Sequence, residues 1–353
     1  MRKQYLAAIV VGLWVVAATV GASVFAYRRA FDYTANQLAF LPEILAQPQA
    51  KLTASMDEGG IALPQPWSGK ERVNVLLLGI DQRKGDNEPA HRTDTMIVFT
   101  LDPVHLQGGM LSIPRDVWVP IPGHGNNRIN TANFIGDTTD YPGGGIMLAK
   151  KTVENFLGVP IHYVVCINFT VFETFIDRIG GITIEVTEDI YDPAYPTANY
   201  GTEVFALSKG VHTLDGEQAL KYARTRHSRG GDFDRARRQQ QVILAVREKL
   251  KDPRVLASLI AAAPELLQQL GESIKTNMTL DEMQQLAMLA QQVERNRIIS
   301  EVLDQRYTEF ATTPEGYQVV LPMRERIAEL RDRMFSNALL PPADRTGASL
   351  VAP

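Results

Sequence analysis

The chain of 353 residues has one cysteine, Cys166, three tryptophans and six scattered histidines. A single cysteine excludes an intrachain disulfide and any thiolate metal cluster. Cys166 lies in the apolar run Tyr163-Val164-Val165-Cys166-Ile167, which reads as a buried strand in which the thiol is a small core hydrophobe. The lack of disulfides suits the cytosol and suits equally a large exported domain that does not need them. There is no excess of positive charge: the formal net charge is −4. That balance argues against a nucleic-acid partner. No internal repeat is present. Ser112 has no His/Asp set in sequence reach, so a nucleophile triad has no support.

One stretch breaks the acidic balance. Between Arg224 and Arg238 stand Arg224, Arg226, Arg229, Arg235, Arg237 and Arg238, opposed only by Asp232 and Asp234. Guanidinium is permanently cationic and forks to paired phosphate oxygens, so the cluster points to a phosphate or pyrophosphate ligand. A solvated helix face is the plainer reading. Against it, Arg224 and Arg226 alternate after the apolar stretch Ala219–Ala223, and Arg235 and Gln239 stand four apart on one face of an expected helix.

The N-terminus carries Arg2 and Lys3, then an uncharged run from Gln4 to Tyr27, then Arg28-Arg29. That run suffices to cross roughly 30 Å of hydrocarbon as a helix. A cleaved signal peptide with Val24-Phe25-Ala26 at its end is the competing reading; the apolar core exceeds the usual signal length, which favours an uncleaved anchor. Residues 1–29 are therefore read as a short cytoplasmic N-terminus and one transmembrane helix. The expected location is the cytoplasmic membrane, single-pass, with the bulk extracytoplasmic. Residues 30–70 read as a stalk with Pro42, Pro48, Pro64, Pro66 and Gly59-Gly60.

Strands are expected at 73–79, 95–101, 110–113, 117–119, 161–168, 182–186 and near 319–320. Helices are expected at 144–156 with Gly158 as stop, 171–179, 214–222 opened by Asp215, and 322–335. A longer helix to about Leu250 is expected with Asp234 as its cap, and Thr279 with Glu282 forms a capping-box pattern. Residues 189–206 read as an irregular loop without a role. The alternation implies an α/β fold, an α-β-α sandwich on a central mixed β-sheet, preceded by the transmembrane helix. The domain is taken as 71–250, followed by a helical extension at 251–338 and a disordered tail at 339–353.

Four segments carry chemistry: Leu77–Asp81, a carboxylate at a strand end; His91–Met96, with Arg92 and Asp94; Ser112–Asp116, with Arg115; and the arginine stretch. Two aspartates at strand ends beside arginines suit Mg²⁺ and phosphate. Singly, each has a plain alternative as turn residue, cap or surface ion pair.

Together with Arg128-Ile129-Asn130, Leu214–Arg226 and Gly231–Arg235 followed by Gln239-Gln240, these segments closely resemble the LytR-CpsA-Psr family of cell-wall glycopolymer transferases, over residues 72 to 250. The resemblance implies transfer of a glycosyl-phosphate polymer from a polyprenyl pyrophosphate carrier to peptidoglycan, releasing polyprenyl phosphate. It implies Mg²⁺ on Asp81 and Asp94, and pyrophosphate on Arg92, Arg115, Arg224, Arg226, Arg235 and Gln239. The implied catalytic set is Asp81, Asp94, Arg92, Arg115, Arg224 and Arg226. The implied partners are a polyprenyl-pyrophosphate-linked glycan donor, a peptidoglycan acceptor and the membrane, with the lipid tail in an apolar tunnel. A polyprenyl-pyrophosphate hydrolase and a non-enzymatic module binding anionic lipid or wall polymer are the rival readings.

Overall fold

The computed structural model describes residues 67–82, 90–197, 201–252 and 273–335, with isolated positions between 254 and 270. The expected transmembrane segment, nearly all of the stalk and the tail lie outside the described residues. Among the described residues, no helix is long and apolar enough to cross a membrane.

In chain order the elements are β1 (Val73–Ile80), β2 (Thr93–Asp102), β3 (Gln107–Ser112), β4 (Trp118–Ile121), β5 (Gly125–Arg128), α1 (Thr131–Thr138), α2 (Gly145–Leu157), β6 (Tyr163–Asn168), α3 (Phe169–Arg178), β7 (Ile182–Val186), β8 (Ile190–Pro196), β9 (Thr202–Leu207), β10 (Gly210–Leu214), α4 (Gly216–Arg224) and α5 (Gly231–Lys249). After them come β11 (Ile274–Thr276), α6 (Leu280–Gln292), β12 (Ile298–Val302), β13 (Thr308–Thr312), β14 (Gln318–Pro322) and α7 (Arg324–Phe335).

Six strands form the central sheet in the order β11-β6-β1-β2-β3-β12. It is mixed, as expected: β1 runs antiparallel to β2 and parallel to β6, and β12 runs parallel to β3. The strand side chains alternate between two cores. Val75 and Leu77 of β1, Ile97 and Phe99 of β2, and Val165 of β6 pack with α3, α4, α5 and α6 through Phe172, Leu220, Ile243 and Leu286. Leu76 and Leu78, Met96 and Val98, and Val164 and Cys166 pack on the other face with α1, α2 and α7 through Ala132, Leu148, Val153 and Leu330. Both faces are covered, which is why these strands read as unbroken apolar runs and not as alternation.

Local signals explain the helix ends. Asp215 accepts a hydrogen bond from the Gln218 N–H (2.8 Å) and opens α4; Gly158 closes α2 in the left-handed region (φ 67°). Thr279 and Glu282 make the reciprocal capping box of α6.

Three expectations differ. Asp234 is not the cap of α5: the helix begins at Gly231, and the Asp234 carboxylate reaches back to the Gly230 N–H (2.8 Å). Ile190–Pro196 and Thr202–Leu207 pair antiparallel as β8 and β9, because Tyr195 and Phe205 turn inward and are buried. Residues after 250 are not simply helical: besides α6 and α7 they supply β11 and β12, the two edge strands of the central sheet, and the hairpin β13–β14. At the other boundary, Trp67 already donates its backbone N–H to the Gln285 carbonyl (3.2 Å).

Candidate functional site

β1 and β2 bring the two carboxylates together. Asp81 follows the last residue of β1. In the antiparallel pairing, Gly79 faces Thr95 and Ile80 faces Thr93, so Asp94 is the extra residue of a β-bulge. A bulge bends the strand and re-aims a side chain; here it turns Asp94 toward the arginines. Gly79 is needed beside it, since a Cβ there would lie 2.9 Å from Thr95 Cβ.

The break after α4 supplies the cations. Arg224 is the last helical residue; Thr225 has extended backbone (φ −56°, ψ 140°) and buries its hydroxyl against Asp192 (2.7 Å). That reversal leaves Arg224 and Arg226 on the same side. Arg224 donates to Asp81 Oδ2 (3.1 Å) and to the Tyr195 hydroxyl (3.1 Å), and its guanidinium lies 4.1 Å from the Phe169 ring centroid. Arg226 approaches Asp94 Oδ2 (3.6 Å) and Asp232 Oδ1 (3.6 Å). Arg115, from the segment after β3, donates to Asp94 Oδ1 (2.9 Å) and lies near Asp116 and Asp232. Arg235, on the first turns of α5, donates to the Asp94 carbonyl (2.8 Å) and pairs with Asp232 Oδ1 (2.8 Å). One turn on, Gln239 donates to Thr95 Oγ1 (3.0 Å) and to the Ala223 carbonyl (3.3 Å).

The charges perturb one another. Burial alone would raise the Asp94 pKa, but Arg115, Arg235 and Arg226 outweigh it and hold the carboxyl below its usual range. Burial likewise works against the Arg115 cation, yet Asp94, Asp116 and Asp232 overcome it and raise its pKa. Arg235 is the most buried of the set. Its desolvation dominates over Asp232 and pushes it down to about 10, so it remains a cation at neutral pH.

Of the expected site residues, Asp81, Asp94, Arg115, Arg224, Arg226, Arg235 and Gln239 converge. Arg92 is exposed and stands on the wall of an adjoining chamber. Arg229 is exposed, and Arg237 and Arg238 serve the fold. Arg238 is buried and holds the carbonyls of Tyr222 and Thr225, which fixes the α4 break; Arg237 pairs with Asp234 and Asp304. Sequence reasoning missed Asp232 as the carboxylate shared by three site arginines, and missed Phe169, Asp192 and Tyr195. Asp232 was visible as an acid inside the arginine run; nothing local marks the other three.

Three spaces meet here. A chamber of about 430 Å³ is lined by Asp81, Asp94, Arg224, Arg226, Arg235 and Gln239, among others. A second, of about 370 Å³, shares Asp81 and Asp94 and is walled beyond them by Arg92, Arg115, Asp116, Arg128 and Asn130. An apolar cavity between the sheet and α3–α5, lined by Leu77, Ile97, Phe172, Leu220, Val242 and Ile243, shares Thr95, Phe169, Arg224 and Gln239 with the first chamber. Among the described residues no group of three or more His, Cys, Asp or Glu could hold a metal ion. Two carboxylates with room for phosphate oxygens and water are nonetheless the donor set that suits Mg²⁺, which is seldom caged by protein alone.

A profile of the LytR_cpsA_psr family matches residues 45–336. The chain belongs to this family. A 214-residue stretch is 37% identical to the polyisoprenyl-teichoic acid–peptidoglycan teichoic acid transferase TagT of Bacillus subtilis, covering 60% of this chain and 62% of TagT. The chain thus spans somewhat under two thirds of the length of this curated relative. Among solved structures, TagT bound to LIIa-WTA superposes with a TM-score of 0.59 at 29% identity, covering 75% of this chain and 90% of that one. B. subtilis TagV gives a TM-score of 0.59 at 27% identity, covering 76% and 98%. The mixed α/β fold with its central mixed sheet is therefore the fold of the LytR_cpsA_psr proteins.

Proposed function

We propose that this LytR_cpsA_psr protein is a membrane-anchored, extracytoplasmic phosphotransferase that moves a glycosyl-phosphate polymer from a polyprenyl pyrophosphate carrier to peptidoglycan. The observation that carries the reading is the continuity of an apolar cavity with a cationic chamber through Thr95, Phe169, Arg224 and Gln239. The cavity is narrow, about 60 Å³, so a ligand reaching both spaces has apolar groups next to a polyanionic head, a description that a lipid pyrophosphate meets. The names of TagT and of its LIIa-WTA complex support it.

In this reading Arg224, Arg226, Arg235 and Gln239 hold the pyrophosphate, with Arg115 behind Asp94. Asp81 and Asp94 hold Mg²⁺, which supplies charge neutralisation at phosphate oxygens. An acceptor hydroxyl attacks the sugar-bearing phosphorus. The new P–O bond forms as the bond to the bridging oxygen breaks, and polyprenyl phosphate leaves with the electron pair. The hydroxyl proton passes to solvent. Phosphoryl transfer needs positioning and charge stabilisation more than a covalent nucleophile, and Ser112, buried with its Oγ hydrogen-bonded to Gln240 (2.8 Å), is not placed to be one.

The test incubates the protein with Mg²⁺, a polyprenyl-pyrophosphate-linked oligosaccharide and a muramic-acid-containing glycan. Mass spectrometry follows polyprenyl phosphate, free glycan phosphate and the conjugate. Polyprenyl phosphate together with conjugate is the expected result. Polyprenyl phosphate with free glycan phosphate alone makes the protein a hydrolase, and tight lipid binding without turnover makes it a binding module.

A further inference from the structure

We propose that His227, on the wall of the 430 Å³ chamber, is the general base of the transfer: it takes the proton of the attacking hydroxyl and hands it to solvent. The proposal rests on the transferase reading above and adds to it the group that receives the proton.

The first support is elimination within the chamber. Among the described residues, its ionisable lining consists of three arginines, three aspartates and His227. Guanidinium carries no acceptor and stays protonated. Asp81 accepts from Arg224 (3.1 Å). Burial opposes the charge on Asp94, but its arginines outweigh burial and hold the carboxyl below its usual range, which makes it a weak base. In the reading above, both also hold Mg²⁺. Asp192 is buried, and its oxygens accept from the Thr225 hydroxyl (2.7 Å) and the Ala194 N–H (3.2 Å). Imidazole remains. As a side-chain type it changes charge between about pH 5 and 8, where general bases work best.

The second support is how the ring is set. The His227 backbone N–H donates to Thr225 Oγ1 (3.3 Å), which in turn donates to Asp192 Oδ2 (2.7 Å). His227 Nδ1 lies 4.0 Å from Asp192 Oδ1. A carboxylate on that side favours the tautomer protonated at Nδ1 and leaves the Nε2 lone pair as the base. It also stabilises the imidazolium that forms once the proton is taken. The charged groups about the ring are Asp192 of β8 and, within its own segment, Arg226 and Arg229; Arg226 is directed at Asp94 and Asp232 (3.6 Å each).

The third is position. The apolar cavity meets the chamber at Thr95, Phe169, Arg224 and Gln239, and His227 is not one of these shared residues. Its side chain is 59% exposed. His227 therefore stands where the chamber is open to solvent, away from the lipid end. A hydroxyl on a wall polymer, too large to pass through the apolar cavity, enters from solvent and meets the imidazole there. As its oxygen bonds to the sugar-bearing phosphorus, its proton moves to Nε2. The bond from phosphorus to the bridging oxygen breaks, and polyprenyl phosphate leaves with the electron pair. The exposed imidazolium then releases the proton to water.

The test uses the full chain in detergent, with Mg²⁺, a polyprenyl-pyrophosphate-linked oligosaccharide and a muramic-acid-containing glycan. Turnover is followed as a function of pH, and donor affinity is measured separately. The wild-type rate should rise with pH from about 5 to 8. His227→Ala is expected to lower kcat about 10²-fold, to lose that rise, to hold donor affinity within about twofold, and to regain rate when imidazole is added. His227→Gln, which keeps a polar side chain at this exposed position, should show the same loss if His227→Ala folds poorly. A kcat within about twofold of wild type in both variants, or a variant that keeps the wild-type rise with pH, overturns the proposal. A loss confined to donor affinity overturns it too and makes His227 a ligand contact. Each of these outcomes leaves the transferase reading intact. A wild-type chain that releases no polyprenyl phosphate refutes that reading, and the proposal with it.

Discussion

Six arginines crowd one stretch of fifteen positions, and the fold divides five of them by direction, leaving Arg229 exposed. Arg224, Arg226 and Arg235 surround the two carboxylates, while Arg237 and Arg238 tie α5 to its neighbours. Removing a group from the first set should act on chemistry: Asp94→Ala and Arg224→Ala are each expected to lower transfer at least 10²- to 10³-fold, with far-ultraviolet circular dichroism unchanged. Transfer within twofold of wild type in both variants would contradict the site assignment. Cys166 gives a second residue-scale expectation. It is 2% exposed, and burial pushes its thiol up to about 12. A neutral, inaccessible thiol does not react, so a thiol reagent should label the folded protein only at the rate of unfolding. Rapid labelling in native buffer would show that β6 is not buried as described.

At the scale of elements, the site depends on one β-bulge, one helix break and one close helix crossing. The crossing is at Gly216, the first residue of α4, where a Cβ would lie 2.4 Å from the Glu173 carbonyl oxygen of α3. Since backbone cannot yield as a flexible side chain does, Gly216→Ala should push α3 and α4 apart and destabilise by about 1–3 kcal/mol. Because Phe169 and Arg224 lie on the two displaced helices, lipid binding should weaken in the same variant. A urea midpoint equal to wild type would mean that the crossing relaxes freely. Helix periods and caps at Asp215, Gly158 and Thr279 were legible from sequence because a cap is a local hydrogen-bond problem. The β8–β9 pair was not: its register shifts between Asp192 and Tyr195, so no regular alternation announces a strand pair.

Over the whole molecule, several carboxylates are held below their ordinary range. Burial opposes ionisation of Asp94, Asp102 and Asp304, but arginines and hydrogen bonds from their neighbours prevail in each case. A folded-state pKa below the unfolded one contributes stability that is complete above the unfolded value, near 4, and is lost as pH falls through the folded value. The urea midpoint should therefore hold as pH falls toward about 5 and decline below about 4. Asp102, 3% exposed at its side chain and bonded to Arg72 (3.0 Å) and His105 (2.9 Å), bears on this directly. Asp102→Asn should cost about 1–3 kcal/mol at pH 7 and flatten the acid decline. A variant with an unchanged acid profile would place that sensitivity elsewhere.

The sequence by itself determined the central strands and the capped helices, and it pointed to a ligand chemistry. Apolar runs buried on two faces identify central strands, and an arginine cluster in an acidic chain with two strand-end aspartates raises the expectation of a polyanion site; both are properties of neighbouring residues. Tertiary structure alone decided which arginines converge, that Arg92 faces a different chamber from Arg224, and that Asp94 is the bulged residue. It also separated an apolar cavity from ordinary core, since Leu77, Phe172 and Ile243 carry the same side chains whether the space between them is filled or open. And it brought β11 and β12, encoded more than a hundred residues after their partners, to the two edges of the sheet. Such pairings are set by burial across the folded molecule, for which no local pattern of residues is a substitute.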